Sequence, residues 1–145
     1  MKAAILFDSL TGNTRKAGGL IASNLQQEGW GITGVSSLKE LELASIQEAD
    51  VVIIGTWVHG LFVVGQQPWA LGAISHLPAM RGKLAATYCT FAINPGKSLD
   101  KLDKAVSYLG ADVIGGLALH RAKLPEHAET FASRLVANIP ARARA

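Results

Sequence analysis

The chain has 145 residues, 49% hydrophobic and 17% charged, with a formal net charge of +3. That length and balance suit one globular domain burying about two-thirds of its unfolded surface, and they exclude a disordered chain. A single cysteine, Cys89, excludes an internal disulfide and a thiolate metal cluster, and no apolar run reaches the roughly 18 residues of a membrane span.

Met1-Lys2 passes straight into a strand-like run without a small-residue cleavage site, so no signal peptide is read and a cytoplasmic location is expected. Part of the positive charge sits in the tail Ala141–Ala145, which follows Pro140 and is expected to fray, leaving 1–140 as a single domain. The cations form no stripe and alternate with no aromatic series, which argues against nucleic-acid binding. His76, His120 and His127 lack metal-ligand spacing, so no metal site is read.

Lys2 to Phe7 is a continuous apolar run, as expected of a strand covered on both faces. Ser9-Leu10-Thr11-Gly12-Asn13-Thr14 follows, and a helical pattern from Arg15 to Gln27 leads out of it, stopping near Gly29. A strand, a hydroxyl-rich loop with one glycine and a helix start together make an anion site. The helix start presents N–H groups and the positive end of its dipole, Ser9, Thr11 and Thr14 add O–H donors, and Gly12 allows close approach. A plain turn with Ser9 or Thr11 as N-cap fits the same residues. Arg15 and Lys16 either add charge to this site or face solvent.

Trp30 to Val35 reads as a second strand, placed at an edge by Gly31 and Gly34. Leu38 to Ala49 has some helical character. Asp50 to Thr56 is the clearest strand, β-branched and apolar throughout its middle. Trp57 to Gln67 reads as a long irregular loop, and Pro68 as the first turn of a helix running to about His76. Lys83 to Phe91 is the fourth strand, with Cys89 buried in it as a small hydrophobe. Leu99 to Leu109 is a helix with Leu99, Leu102, Val106 and Leu109 on one face, capped by Gly110. Asp112 to Leu119 is the fifth strand, and Pro125 to Ile139 the last helix, with Phe131, Leu135 and Val136 facing in. Five alternations of strand and helix predict a doubly wound α/β fold with helices on both faces of a parallel sheet. In the order 2-1-3-4-5, the loops Ser9–Thr14, Thr56–Gln67 and Thr90–Lys97 converge beyond the carboxyl ends of the strands.

With those loops placed, the sequence resembles the flavodoxin family of FMN proteins. Ser9-Leu10-Thr11-Gly12-Asn13-Thr14 matches the family's Ser/Thr-x-Thr-Gly-x-Thr phosphate loop at every specified position. Asp50-Val51-Val52-Ile53-Ile54-Gly55-Thr56-Trp57 looks like its third strand with the aromatic-bearing exit. Thr90-Phe91-Ala92-Ile93-Asn94-Pro95-Gly96-Lys97 is similar to the Pro-Gly-Lys-containing loop of some branches, and the uninterrupted fifth strand looks like the short-chain type. Two features depart from the family: the balance is basic where many members are acidic, and Trp57–Gln67 is longer and more apolar than the common loop.

The resemblance implies an FMN site. Ser9, Leu10, Thr11, Gly12, Asn13 and Thr14 would hold the phosphate. Thr56, Trp57, Val58, His59 and Gly60 would line the flavin on one side, with Trp57 either stacked on the ring or filling the end of the core. Thr90, Phe91, Ala92, Asn94 and Gly96 would line the other. Phe91 either takes the place of the family's aromatic there or belongs to the core. In the family a peptide of the loop after the third strand turns over when flavin N5 gains a proton; His59-Gly60 stands at that place. Leu61-Phe62-Val63-Val64 is either an excursion of the core or an exposed contact surface.

No catalytic residues are placed, as expected where a cofactor carries the chemistry. The resemblance implies an electron carrier between a flavodoxin- or ferredoxin-reductase-type donor and an acceptor enzyme, and the basic balance implies partners with acidic docking surfaces. Two alternatives stand beside it: a flavin oxidoreductase of the same fold acting on a quinone or protoporphyrinogen-type substrate, and a flavin-free interaction module.

Overall fold

A computed structural model of the chain describes residues 1–8, 12–59, 67–68, 74 and 76–139. The strands are β1 (Lys2–Phe7), β2 (Gly31–Ser37), β3 (Val51–His59), β4 (Gln67–Pro68), β5 (Leu84–Phe91) and β6 (Asp112–His120). The helices are α1 (Asn13–Gln27), α2 (Leu43–Glu48), α3 (Ser98–Ser107) and α4 (Leu124–Asn138), with a 3₁₀ turn at Arg121–Lys123. Five strands run in the order β2-β1-β3-β5-β6, all parallel, and β4 pairs antiparallel with the end of β3. This is the predicted doubly wound sheet in the predicted order.

Alternation along each strand builds two cores. Ala3 and Ile5 of β1, Val51 and Ile53 of β3, and Ala86 and Tyr88 of β5 face one side, where Ile21 and Leu25 of α1 and Phe131 and Leu135 of α4 cover them. Ala4, Leu6, Val52, Ile54 and Ala85 face the other side, under Ile46 of α2 and Leu102 and Val106 of α3. Both faces are dry, which is why β1 and β3 read as unbroken apolar runs. The edge strand β2 is half-exposed along most of its length.

The largest departures from the sequence reading lie between Trp57 and Pro68. β3 continues through Trp57, Val58 and His59, because Val58 and His59 find partners in Pro68 and Gln67. Pro68 therefore sits in a two-residue strand rather than opening a helix. Proline lacks the ladder N–H, and a short edge pairing of this kind tolerates it. The rest of the expected helix falls largely outside the described residues, although Ile74 is helical and buried. Among the described residues, no helix is long and apolar enough to cross a membrane.

Candidate functional site

The carboxyl ends of β1, β3 and β5 meet at the start of α1. The Asp8 N–H donates to the Gly55 carbonyl at 3.1 Å, which fixes the exit of β1 against β3. Ser9, Leu10 and Thr11 lie outside the described residues. The N-cap of α1 is Gly12, in the left-handed region at φ 92°, a residue with no side chain to cap the helix. That replaces the reading of Ser9 or Thr11 as N-cap. Among the described residues, a Cβ at Gly12 would meet nothing within 4 Å. The first bond of the helix runs from Lys16 N–H to the Gly12 carbonyl at 2.9 Å. The Thr14 and Arg15 amides thus point out of the helix start, with the positive end of its dipole behind them.

Thr14 joins this helix start to β5. It is 1% exposed, and its Oγ1 lies 2.9 Å from Oγ1 of Thr90, itself buried. A hydroxyl pair holds two protons, and only one of them spans the contact. Tyr88, two residues earlier on the same face of β5, donates its phenol hydrogen to the Thr14 carbonyl at 2.9 Å. Its ring is fully buried and meets Phe131 edge-to-face, with centroids 6.0 Å apart. Burial pushes the Tyr88 phenol well above its ordinary value, so it stays protonated and remains a donor.

Thr56 is fully buried near the end of β3, and half-buried Trp57 pairs across the ladder with Thr90. Val58 is half-buried and faces Pro68 across the antiparallel pair, and the backbone of His59 pairs with Gln67. Gly60 and residues 61–66 lie outside the described residues. Phe91 is half-buried and packs edge-to-face on His120, ring centroids 5.0 Å apart. Ala92 is half-buried, while Asn94 is exposed and its Oδ1 accepts the Gly96 N–H at 2.9 Å. With Gly96 at φ 56°, this bond braces the loop between β5 and α3.

Of the residues expected to bind a ligand, the fold thus brings Gly12, Asn13, Thr14, Thr56, Trp57 and Thr90 to one end of the sheet. Arg15 stands over the Phe7 ring, its guanidinium carbon 5.3 Å from the centroid, and Lys16 is exposed. Helix amides, hydroxyls and neighbouring cations form a donor set that fits a phosphate. Asp8, only 6% exposed, is the acidic group beside it.

Three groups here were not singled out in the sequence. Tyr88 was hidden inside a strand; its signal is a large aromatic among Ala85, Ala86, Thr87 and Cys89, opposite Gly55 on the neighbouring strand. Asp8 was hidden by its place at a strand end. Ser98 is fully buried at the start of α3, and its hydroxyl finds no hydrogen-bond partner among the described residues. Among the described residues, no group of three or more His, Cys, Asp or Glu is placed to hold a metal ion.

Comparison with known proteins agrees with this architecture. The chain is similar in structure to the flavodoxin of Streptococcus pneumoniae TIGR4, at 23% identity and a TM-score of 0.73, over 96% of this chain and 100% of that one. It is similar to oxidised flavodoxin 2 of Bacillus cereus, at 17% identity and a TM-score of 0.73, over 96% and 100%. It also resembles part of rubredoxin:oxygen oxidoreductase from Desulfovibrio gigas, at 22% identity and a TM-score of 0.67, over 97% of this chain and 37% of that one. No curated protein sequence matches the chain. The family model described as "Flavodoxin domain" matches residues 4–98, and the chain belongs to that family.

Proposed function

We propose that the chain binds FMN at the carboxyl ends of β1, β3 and β5 and carries electrons between a reductase and an acceptor enzyme. The observation that carries this reading is the Thr14–Thr90 contact. Residues 76 apart in sequence bring the expected phosphate loop and the strand end beside Trp57 to one place. Ser9, Thr11, Gly12, Asn13 and Thr14 would take the phosphate, and Trp57 would offer its ring face to the isoalloxazine. Thr56, Val58, His59 and Gly60 would line one side, and Thr90, Phe91, Ala92, Asn94 and Gly96 the other.

When bound, FMN supplies reversible one-electron chemistry. The chain's own groups bind and orient it. Amides and hydroxyls at the start of α1 would hydrogen-bond the phosphate, and the buried ends of β3 and β5 would limit water at the flavin end of the site. The formal charge of +3 supports acidic partners whose docking weakens as salt is added.

The β3–β4 pairing supports a second reading. The end of β3 pairs antiparallel with Gln67–Pro68 beside the same site, and an added strand there suits an enzyme that walls off a quinone or protoporphyrinogen-type substrate. Anaerobic reduction of the FMN-loaded protein, followed by its visible spectrum, separates the two. A carrier is reduced in two well-separated one-electron steps and turns over no quinone with NAD(P)H by itself. Steady turnover by the purified protein supports the enzyme, and failure to take up FMN at all leaves the interaction module.

A further inference from the structure

The Tyr88 hydroxyl meets the first turn of α1 from the core side. It donates to the carbonyl of Thr14 at 2.9 Å. That carbonyl belongs to the same peptide unit as the Arg15 N–H. In a helix the carbonyl points toward the C-terminus and the N–H toward the N-terminus. The Thr14 carbonyl therefore faces into the protein while the Arg15 amide faces out of the helix start. The first intrahelical bond, from Lys16 to Gly12, leaves the Arg15 amide ahead of the helical ladder.

A hydrogen bond to a carbonyl draws electron density along the amide and makes its N–H a stronger donor. Polarisation of this kind is stronger away from solvent, and the groups that transmit it, Tyr88 and Thr14, are buried. The sequence has made room for the hydroxyl. A Cβ at Gly18 would lie 2.9 Å from the Tyr88 oxygen, and a Cβ at Gly55 would run into the ring. Two glycines on different elements thus leave the slot in which the phenol reaches the first turn of α1. Phenylalanine would fill that slot equally well as packing; only the hydroxyl reaches the carbonyl.

We propose that Tyr88 is a positioning residue for phosphate recognition: its hydroxyl polarises the Thr14–Arg15 peptide and so strengthens the anion-binding amide of Arg15. The inference rests on the FMN reading above, and it predicts selectivity for the phosphorylated flavin. Riboflavin carries the same ring without the phosphate, so the ratio of FMN to riboflavin affinity isolates the effect.

The test is a titration of wild type, Tyr88→Phe and Gly18→Ala with FMN and with riboflavin, read by flavin fluorescence quenching. In parallel, the amide proton shift of Arg15 is read by NMR in the flavin-free proteins. Tyr88→Phe is expected to weaken FMN about threefold and leave riboflavin unchanged, the scale of losing the polarisation of one charge-assisted hydrogen bond. The Arg15 amide proton is expected to move upfield. Gly18→Ala, which displaces the hydroxyl and keeps the phenol, is expected to do the same and serves if Tyr88→Phe fails to fold. Equal losses for both flavins, or an unchanged ratio, overturn the inference and leave FMN binding standing. Wild type that binds neither flavin overturns the FMN reading itself, and this inference with it.

Discussion

The Tyr88 ring lies where a side chain at position 55 would be. β3 and β5 are in register there, Gly55 opposite Tyr88, and a Cβ built on Gly55 runs into the ring atoms of the tyrosine. The absence of a side chain on one strand is therefore the space for a large one on the next. Tyr88 in turn reaches α1 at Thr14 and α4 at Phe131, so a single glycine position underlies the contact between sheet, helix start and C-terminal helix.

Gly55→Ala is expected to destabilise the fold by about 3 kcal/mol, the upper end for overpacking, because the clash is with a fully buried ring. The effect is conditional on Tyr88. In a Tyr88→Leu background the same substitution should cost about 1 kcal/mol, giving a coupling of about 2 kcal/mol in a double-mutant cycle measured by urea denaturation. Simple additivity of the two changes would show that the ring is not what Gly55 makes room for.

Gly12 differs from Gly55 in the reason for its glycine. Its φ is 92°, yet among the described residues a Cβ there would meet nothing within 4 Å. The penalty for a side chain is therefore conformational, not steric. Gly12→Ala should lose roughly 1–2 kcal/mol of stability, and Gly12→Asn less than half as much, since asparagine tolerates the left-handed region. Both variants are read in urea. Equal costs for Ala and Asn would mean that the neighbourhood, not the backbone, selects glycine.

The parallel sheet was legible because both its faces are dry: Lys2–Phe7 and Val51–Thr56 carry an apolar signal that needs no partner to interpret. The edge position of β2 was legible from Gly31 and Gly34. The end of β3 was not. Trp57 extends the parallel ladder opposite Thr90, but Val58 and His59 are strand only because Pro68 and Gln67 pair with them, and that pairing is not encoded in either segment alone. Pro68 misleads for the same reason, as its fixed φ suits a helix start and an edge strand alike. At the site, Gly12 and Thr14 were legible as a loop motif. The buttress behind them was not, because the Tyr88 bond to Thr14 spans 74 residues and is made by a side chain that alternation alone assigns to the core.

Cys89 is fully buried on β5, and burial, with the charge of Asp103 added, pushes its thiol up to about 12. The thiolate is the reactive form, so the folded protein should leave Cys89 unmodified by iodoacetamide at pH 8 over hours, with complete labelling after denaturation. Mass spectrometry of the intact chain reads both states. Rapid labelling of the folded protein would place the thiol at the surface.

Asp103 on α3 accepts a hydrogen bond from the Thr87 hydroxyl on β5. Burial raises its carboxyl above the ordinary value, the Thr87 bond opposes that, and Asp100 nearby raises it further. Because the folded value is the higher one, Asp103 contributes stability that is fully present below the unfolded carboxylate value and is lost as pH rises through the folded value. Near neutral pH the ionised carboxylate therefore weakens the fold. Asp103→Asn keeps an acceptor for Thr87 and removes the charge, so it should be more stable than wild type at pH 7. The advantage should shrink as pH falls through the folded value and be gone below about 3.8, the unfolded carboxylate value. Urea denaturation of both proteins across pH 3–8 measures this difference. A gap that stays constant, or that widens toward acid, would show that the Asp103 charge carries no penalty in the folded protein.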